Sequence, residues 1–382
     1  MKDSKKGVNT ICTHIGQVED KVFKGSVSPL YMSSSYAFED VDEKRYPRYF
    51  NTPNQQGLAK KIAALENAEA ALIFGSGMAA ISTALLAFLG AGDHIVLQQT
   101  LYGGTYNLIT EEFGKYGIEY SFTSGWEPED FKAKIRENTK VVYMETPSNP
   151  LLTITNLRSV AKICKAHGLV SMIDNTFASP INQNPINFGI DIAIHSATKY
   201  MGGHSDLCAG AVAGTRENID RIFGLAKNLG GSLSDYTVWL LERSMKTMGI
   251  RIRAQNENAQ RLAEYLQGHP DVKKVYYPGL PEHSEHELAK SQMSGFGGML
   301  SFELQDHLDA DRFRRALVLI KSSMSLAGVE STVVSPALTS HALLSPKERE
   351  NQGISDALIR FSVGIEDVED LIGDLEQALL LK

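Results

Sequence analysis

The chain is poor in cysteine, in tryptophan and in basic charge. Three cysteines occur among 382 residues, Cys12, Cys164 and Cys208. They are far apart and odd in number, so no disulfide framework or zinc-ligand spacing is visible. Cys164 and Cys208 read as small core residues, the common fate of a free cysteine. The formal net charge is −7, which leaves no dominant positive field and argues against nucleic acid as a partner. No uninterrupted apolar run reaches membrane-spanning length; the longest, at 81–89, is broken by Ser82 and Thr83. The basic start (Lys2, Lys5, Lys6) is followed by no apolar core and no small-residue cleavage pattern, so a secretory leader is not expected. A reducing, cytoplasmic setting fits best. Internal repeats and low-complexity tracts are absent as well.

What remains is long enough for two domains and a large core. Residues 1–52 show weak periodicity and many turn or aromatic residues, as expected of an arm lying over another surface. From 53 to 243 helical and strand-like segments alternate. Helical spacing falls at 57–66, 78–89, 106–116, 127–138 and 156–167, the last closed by Gly168 as a C-cap. Short apolar runs at 70–74, 94–98, 118–122, 141–145, 170–174 and 191–195 read as strands. The alternation predicts an α/β domain on a mostly parallel, buried sheet. Over 244–382 the order becomes mixed. Helices are expected at 253–267, 311–320 and 367–380 and strands at 272–277, 299–304 and 359–363, a smaller α+β domain.

The most informative stretch is His195-Ser-Ala-Thr-Lys-Tyr-Met-Gly-Gly-His-Ser-Asp206. It puts Lys199 just beyond a buried strand, flanked by the hydroxyls of Ser196 and Thr198. Ligands of open α/β sheets lie beyond the carboxyl ends of the strands. Those ends also carry Gly75-Ser-Gly-Met78, Tyr102, Ser148-Asn149 and Asp174. An amine beside a phosphate cradle, a flat ring and a carboxylate suits a Schiff-base site for pyridoxal 5′-phosphate (PLP). Gly77 and Met78 open a helix whose free N–H groups can meet an anion, or they form an ordinary tight turn. Ser196 and Thr198 can donate to the same phosphate or serve as strand-edge hydroxyls. Asp174 needs a partner if buried: a protonated pyridine nitrogen, or else a helix cap or ion pair. Tyr102 can stack on the cofactor or simply pack. Lys199, once displaced by substrate, becomes the base that moves protons at Cα and Cβ; a cationic ring nearby should lower its pKa. His283 and His286 lack a third ligand and read as a solvent-facing turn. His195, His204 and His341 read as pocket or packing residues, and no metal site is expected.

Taken together, the residues resemble the Cys/Met-metabolism (transsulfuration) family of PLP enzymes nearly end to end. The matching pieces are Thr13-His-Ile-Gly16, Tyr46-Pro-Arg48, Gly75-Ser-Gly-Met78, Leu101-Tyr-Gly-Gly-Thr105, Glu145-Thr-Pro-Ser-Asn-Pro150, Ile173-Asp-Asn-Thr176, Ser196-Ala-Thr-Lys199, Gly203-His-Ser-Asp206, Tyr277-Pro-Gly-Leu280, Gly297-Gly-Met-Leu-Ser-Phe302 and Arg360-Phe-Ser-Val-Gly364. The resemblance implies PLP fold type I, aspartate-aminotransferase-like, with a large parallel-sheet domain at 53–243 and a smaller C-terminal α+β domain at 244–382. It implies that Lys199 holds the cofactor, that Asp174 faces the pyridine nitrogen, and that Tyr102 stacks on the ring and shares in proton transfer. Gly77, Met78, Ser196 and Thr198 would bind phosphate. Tyr46 and Arg48 would reach the phosphate of a neighbouring subunit, so that the arm at 1–52 builds a dimer with shared active sites, paired into a homotetramer. Arg360 and Asn149 would hold the α-carboxylate of a small amino-acid substrate, and Ser331 would help position Lys199 and that substrate.

The implied reaction is elimination or replacement at Cβ or Cγ of sulfur amino acids, first of the cystathionine lyase or cystathionine γ-synthase type. Glu330, in Gly328-Val-Glu-Ser331, fits that type. Asn107 departs from it, because such enzymes typically carry arginine there. The run Leu101-Tyr-Gly-Gly-Thr-Tyr-Asn-Leu108 looks instead like the O-acetyl- and O-succinylhomoserine sulfhydrylases. Methionine γ-lyases usually have a cysteine near Gly104, absent here, so methionine γ-lyase stands as the third reading. Arg45, where many relatives are acidic, is expected to turn positive charge toward a distal substrate carboxylate, or to be a solvated arginine at a subunit boundary. An aminotransferase of the same fold is the remote alternative.

Overall fold

The computed structural model describes residues 6–339, 342, 347, 349 and 352–380; Lys2, Lys5 and His341 lie outside them. A seven-stranded sheet holds β1 (Ala70–Phe74), β2 (His94–Leu97), β3 (Glu119–Phe122), β4 (Thr139–Glu145), β5 (Val170–Asp174), β6 (Ile192–His195) and β7 (Gly210–Gly214) in the order β1-β7-β6-β5-β4-β2-β3. All neighbours are parallel except β7, which runs against both β1 and β6. The central strands are apolar almost throughout, because helices cover both faces and neither face meets water. Helix Gly77–Phe88 packs on one face with Phe74, Ile192 and Val212. Helix Pro53–Glu66 packs on the other with Ile73, Ala211 and Ala213. Thr52 and Gln55 close a reciprocal capping box at the start of the latter, which satisfies two orphan N–H groups.

A second sheet holds β8 (Val272–Tyr276), β9 (Met299–Leu304), β10 (Lys321–Ser322), β11 (Thr332–Val334) and β12 (Leu358–Ser362) in the order β10-β11-β12-β9-β8. Only the β10–β11 pair is parallel. Helices Met248–Gln267 and Val368–Leu379 bury their apolar stripes against it. The arm begins with helix Val8–His14 and then runs without strands to Thr52. It leaves Val22, Phe23, Met32 and Phe38 exposed. No helix among the described residues is long and apolar enough to cross a membrane.

Several expected elements change. The helix expected at 127–138 shrinks to Pro128–Lys132. The helix expected at 106–116 becomes an α-turn at Gly103–Asn107, a π-turn at Leu108–Glu112 and a 3-10 turn at Phe113–Tyr116. The helix expected at 311–320 ends at Ala316. There the Asp374 carboxylate accepts the N–H groups of Val318, Leu319 and Ile320 at 2.8, 3.0 and 2.8 Å. One buried acceptor for three donors competes successfully with another helical turn. Strand β7 was not foreseen, since Gly-Ala-Val-Ala-Gly is too small and too short to show a strand pattern. Cys164 is buried as expected, but Cys208 is exposed, in the loop between Lys199 and β7.

Candidate active site

Strand β6 ends at His195, and the chain then tightens into a turn in which the Lys199 N–H donates to Ser196 O at 3.0 Å. The Thr198 hydroxyl donates to Ala209 O at 3.2 Å and accepts from Ala209 N at 3.0 Å. That hydroxyl therefore clamps the loop back onto the start of β7. The Lys199 amine donates to Ser325 Oγ at 2.8 Å. Burial pushes its pKa down, and the nearby Arg360 charge adds to the effect.

Behind the lysine stand two carboxyl groups. Glu145 and Asp174 end neighbouring parallel strands and are register partners, so their side chains leave the same face of the sheet. Asp174 Oδ1 accepts from Thr176 N at 2.9 Å. Asp174 is largely enclosed by protein but keeps some accessible surface. Burial raises its pKa, while the Thr176 hydrogen bonds and the His195 and Lys199 charges oppose the rise. Glu145 is buried and accepts from Tyr102 N at 2.8 Å.

The helix Gly77–Phe88 aims its N-terminus at the same place. Ser76 caps it by accepting from Ala79 N at 3.0 Å, which leaves the N–H groups of Gly77 and Met78 ahead of the first intrahelical bond. A Cβ on Gly77 would sit 2.8 Å from Ser196 Cβ, so only glycine lets the helix start approach β6 this closely. A Cβ on Gly104 would lie 2.6 Å from Tyr102 Cε1 and 3.0 Å from Met78 Sδ. The half-exposed Tyr102 ring, Met78 and the turn Gly103–Asn107 thus meet at one spot, with the partly buried Asn107 closing that turn.

The second sheet supplies the cation. Arg360, buried on β12, donates Nη1 to Asn149 Oδ1 at 3.0 Å and Nη2 to Ser325 O at 3.2 Å. Burial pulls its pKa down to about 10. It has no carboxylate partner among the described residues. A buried guanidinium without a counter-charge is costly, and the arrangement suits an anionic ligand held in bidentate fashion.

Other expected residues lie elsewhere. Ser331 does not contact Lys199: its hydroxyl donates to Glu366 Oε2 at 2.9 Å and accepts from Gly364 N at 2.9 Å. Ser325 takes the place expected for it, because left-handed backbone at Ser325 (φ 77°) and Ala327 (φ 65°) folds this loop over the lysine. Glu330 is exposed. Arg45 does not point charge into the cluster: it pairs with Glu43 Oε2 at 2.9 Å and donates to Gln56 Oε1 at 2.9 Å. Arg48 stacks on Tyr46 and Tyr49, 5.6 and 5.1 Å from their ring centres, and donates to Lys227 O of its own chain. His195 lies in the interior, with Nε2 at 2.5 Å from Glu66 Oε1, and His204 Nδ1 is bonded to Gly202 O at 2.7 Å. His283 is half-buried in a turn, its Nδ1 3.6 Å from Glu285 Oε2, where a solvent-facing turn was expected.

This geometry has relatives. The family described as "Cys/Met metabolism PLP-dependent enzyme" matches residues 9–380. A cystathionine beta-lyase of Lactococcus lactis subsp. cremoris is 42% identical over 97% of this chain and 98% of its own. A cystathionine gamma-lyase of Bacillus subtilis is also 42% identical, over 97% and 98%. A crystal structure of cystathionine gamma-lyase from Lactobacillus plantarum, complexed with L-serine, superposes with a TM-score of 0.94 at 39% identity, covering 98% of each chain. The chain belongs to the Cys/Met-metabolism family of PLP-dependent enzymes. Its fold is PLP fold type I and its cofactor is pyridoxal phosphate. The residues present fit that group: a glycine-opened helix start for a phosphate, a partly accessible carboxylate, and an amine of lowered pKa whose charge acts on it.

Proposed function

We propose that the chain is a carbon–sulfur lyase that eliminates at Cβ or Cγ of cystathionine-like amino acids. The observation that carries this reading is the unpaired, buried Arg360, joined to Asn149 and Ser325 directly beside the Lys199 amine. When bound, pyridoxal phosphate supplies the electron sink that stabilises negative charge at Cα. Lys199 would anchor it, Asp174 would face its ring nitrogen, and Gly77, Met78, Ser196 and Thr198 would hold its phosphate. Arg360 and Asn149 grip the substrate α-carboxylate and so turn the Cα–H toward Lys199. The lowered pKa of that amine suits it to take the Cα proton and return it at a neighbouring carbon. The Ser325 hydroxyl fixes the amine's direction. Tyr102 would stack on the ring and give a proton to the departing sulfur.

Exposed apolar residues along the arm support a dimer, paired into a homotetramer, in which Tyr46 and Arg48 reach the neighbour's phosphate. The two separate sheets support the division at 53–243 and 244–382. The composition supports a cytoplasmic setting. Relatives at equal identity carry the β- and the γ-lyase name, in keeping with a Cα proton loss common to both reactions. The uncharged Asn107 favours an acyl-homoserine sulfhydrylase as the second reading.

Purified enzyme loaded with PLP and given cystathionine should release ammonia, a keto acid and a thiol. Pyruvate with homocysteine would mark β-elimination, and 2-oxobutyrate with cysteine γ-elimination. No keto acid from cystathionine, with homocysteine formed from an acyl-homoserine and sulfide, or a thioether from an acyl-homoserine and a thiol, would replace the lyase reading by the second one.

A further inference from the structure

We propose that Glu145 is a positioning residue held as a neutral carboxylic acid. It clamps the backbone of Tyr102 and leaves Asp174 as the single negative charge beneath the cofactor. Three features of the geometry lead there. Glu145 and Asp174 are register partners on β4 and β5, so two carboxyl groups share one small, protein-walled space. Two such groups cannot both ionise without strong mutual repulsion. The cations lie on one side only: Lys199 and His195 act on Asp174, whereas Glu145 has no ion-pair partner among the described residues. Finally, Glu145 is already engaged as an acceptor, with Tyr102 N 2.8 Å from Oε1, and its own N–H donates to Gln98 Oε1 at 3.2 Å.

A neutral acid still accepts that bond through its carbonyl oxygen, more weakly than an anion would, and avoids a second buried charge. The buried Tyr143 phenol, the other titratable group close to both carboxyls, carries no positive charge to offset one. Burial, and then the Asp174 charge, push the Glu145 pKa well above the carboxylate range, in agreement with the geometry. The consequence for Tyr102 is direct. Its ring is half exposed, beside Met78 and Gly104, so a fixed backbone at Tyr102 holds the ring in place.

The test compares wild type with Glu145→Gln and Glu145→Ala. Glutamine keeps a neutral acceptor for Tyr102 N–H and removes the proton in question. Glu145→Gln should bind PLP within about twofold of wild type with an unchanged visible spectrum, and Glu145→Ala should bind about tenfold or more weakly. Infrared spectra of the apoprotein at neutral pH should show a protonated-carboxyl band in wild type that Glu145→Gln lacks. If Glu145→Gln lost PLP affinity by tenfold, or the band were absent from wild type, the neutral-acid assignment would be wrong. Should Glu145→Ala fail to fold, the glutamine variant alone still decides. None of these readouts involves cystathionine, so they stand apart from the choice of substrate.

Discussion

Lys199 and Arg360 are two cationic side chains brought together by two different sheets, and burial lowers the pKa of both. For Lys199 this sets a sign. Between its lowered folded value and the ordinary lysine value of ~10.4, the unfolded chain binds more protons than the folded one, so its contribution to stability rises with pH. Denaturant titrations of the apoprotein should therefore show wild type least stable relative to Lys199→Met at neutral pH. The gap should close as the pH approaches the ordinary lysine range, and a constant gap would refute the linkage. Sequence patterns made most of this cluster legible, because Lys199, Asp174, Gly77 and Asn149 sit in short motifs at strand ends and Arg360 in one within β12. Ser325 was not legible. It shares one loop with Ser331, and linear spacing does not say which hydroxyl a left-handed backbone will turn inward. The same limit applies to Arg45, whose partner Glu43 is two residues away and claims its charge locally.

At the scale of elements, the helix Gly77–Phe88 matters for where it starts. Replacing Gly77 by alanine would put a methyl 2.8 Å from Ser196 Cβ and drive the helix start off β6. The fold should survive with a loss of about 1–3 kcal/mol. PLP affinity should fall by about tenfold or more, since the two N–H donors move together. Calorimetry of the apoprotein and a cofactor titration read the two effects separately, and unchanged affinity would remove this helix from the phosphate site. The parallel strands were legible because double burial makes them continuous apolar runs. Strand β7 and the two helices after it, Arg216–Leu229 and Asp235–Met245, went unread, because β7 is built of alanine, valine and glycine. The segment 127–138 misled for the opposite reason: its charges fit a helix, yet only five residues adopt one.

At the scale of the whole molecule, the arm presents apolar surface that one chain does not cover, with Phe23 88% and Phe38 67% exposed. Single monomers rarely leave so much large apolar side chain in one stretch. Phe23→Asp with Phe38→Asp should shift sedimenting mass toward the monomer and weaken PLP retention together; retained mass would dissociate the arm from assembly. Which sulfur amino acid is cleaved was not legible at this scale, since the fold serves every member of the family alike. The reversed strand β7 carries a last consequence. Because it runs against β1 and β6, its first residue, Gly210, lies opposite Phe74, and its second opposite His195. The chain leaving Lys199 must come home between the phosphate loop and the lysine turn. Gly210 does so with no room for a side chain, a Cβ there falling 2.0 Å from Ser76 O. Anchor and cradle are thus sewn to a single thread, and their separation is fixed when the sheet forms rather than when a ligand arrives. A ligand docking here would have little loop disorder left to quench, so less of its binding free energy would go into ordering the chain.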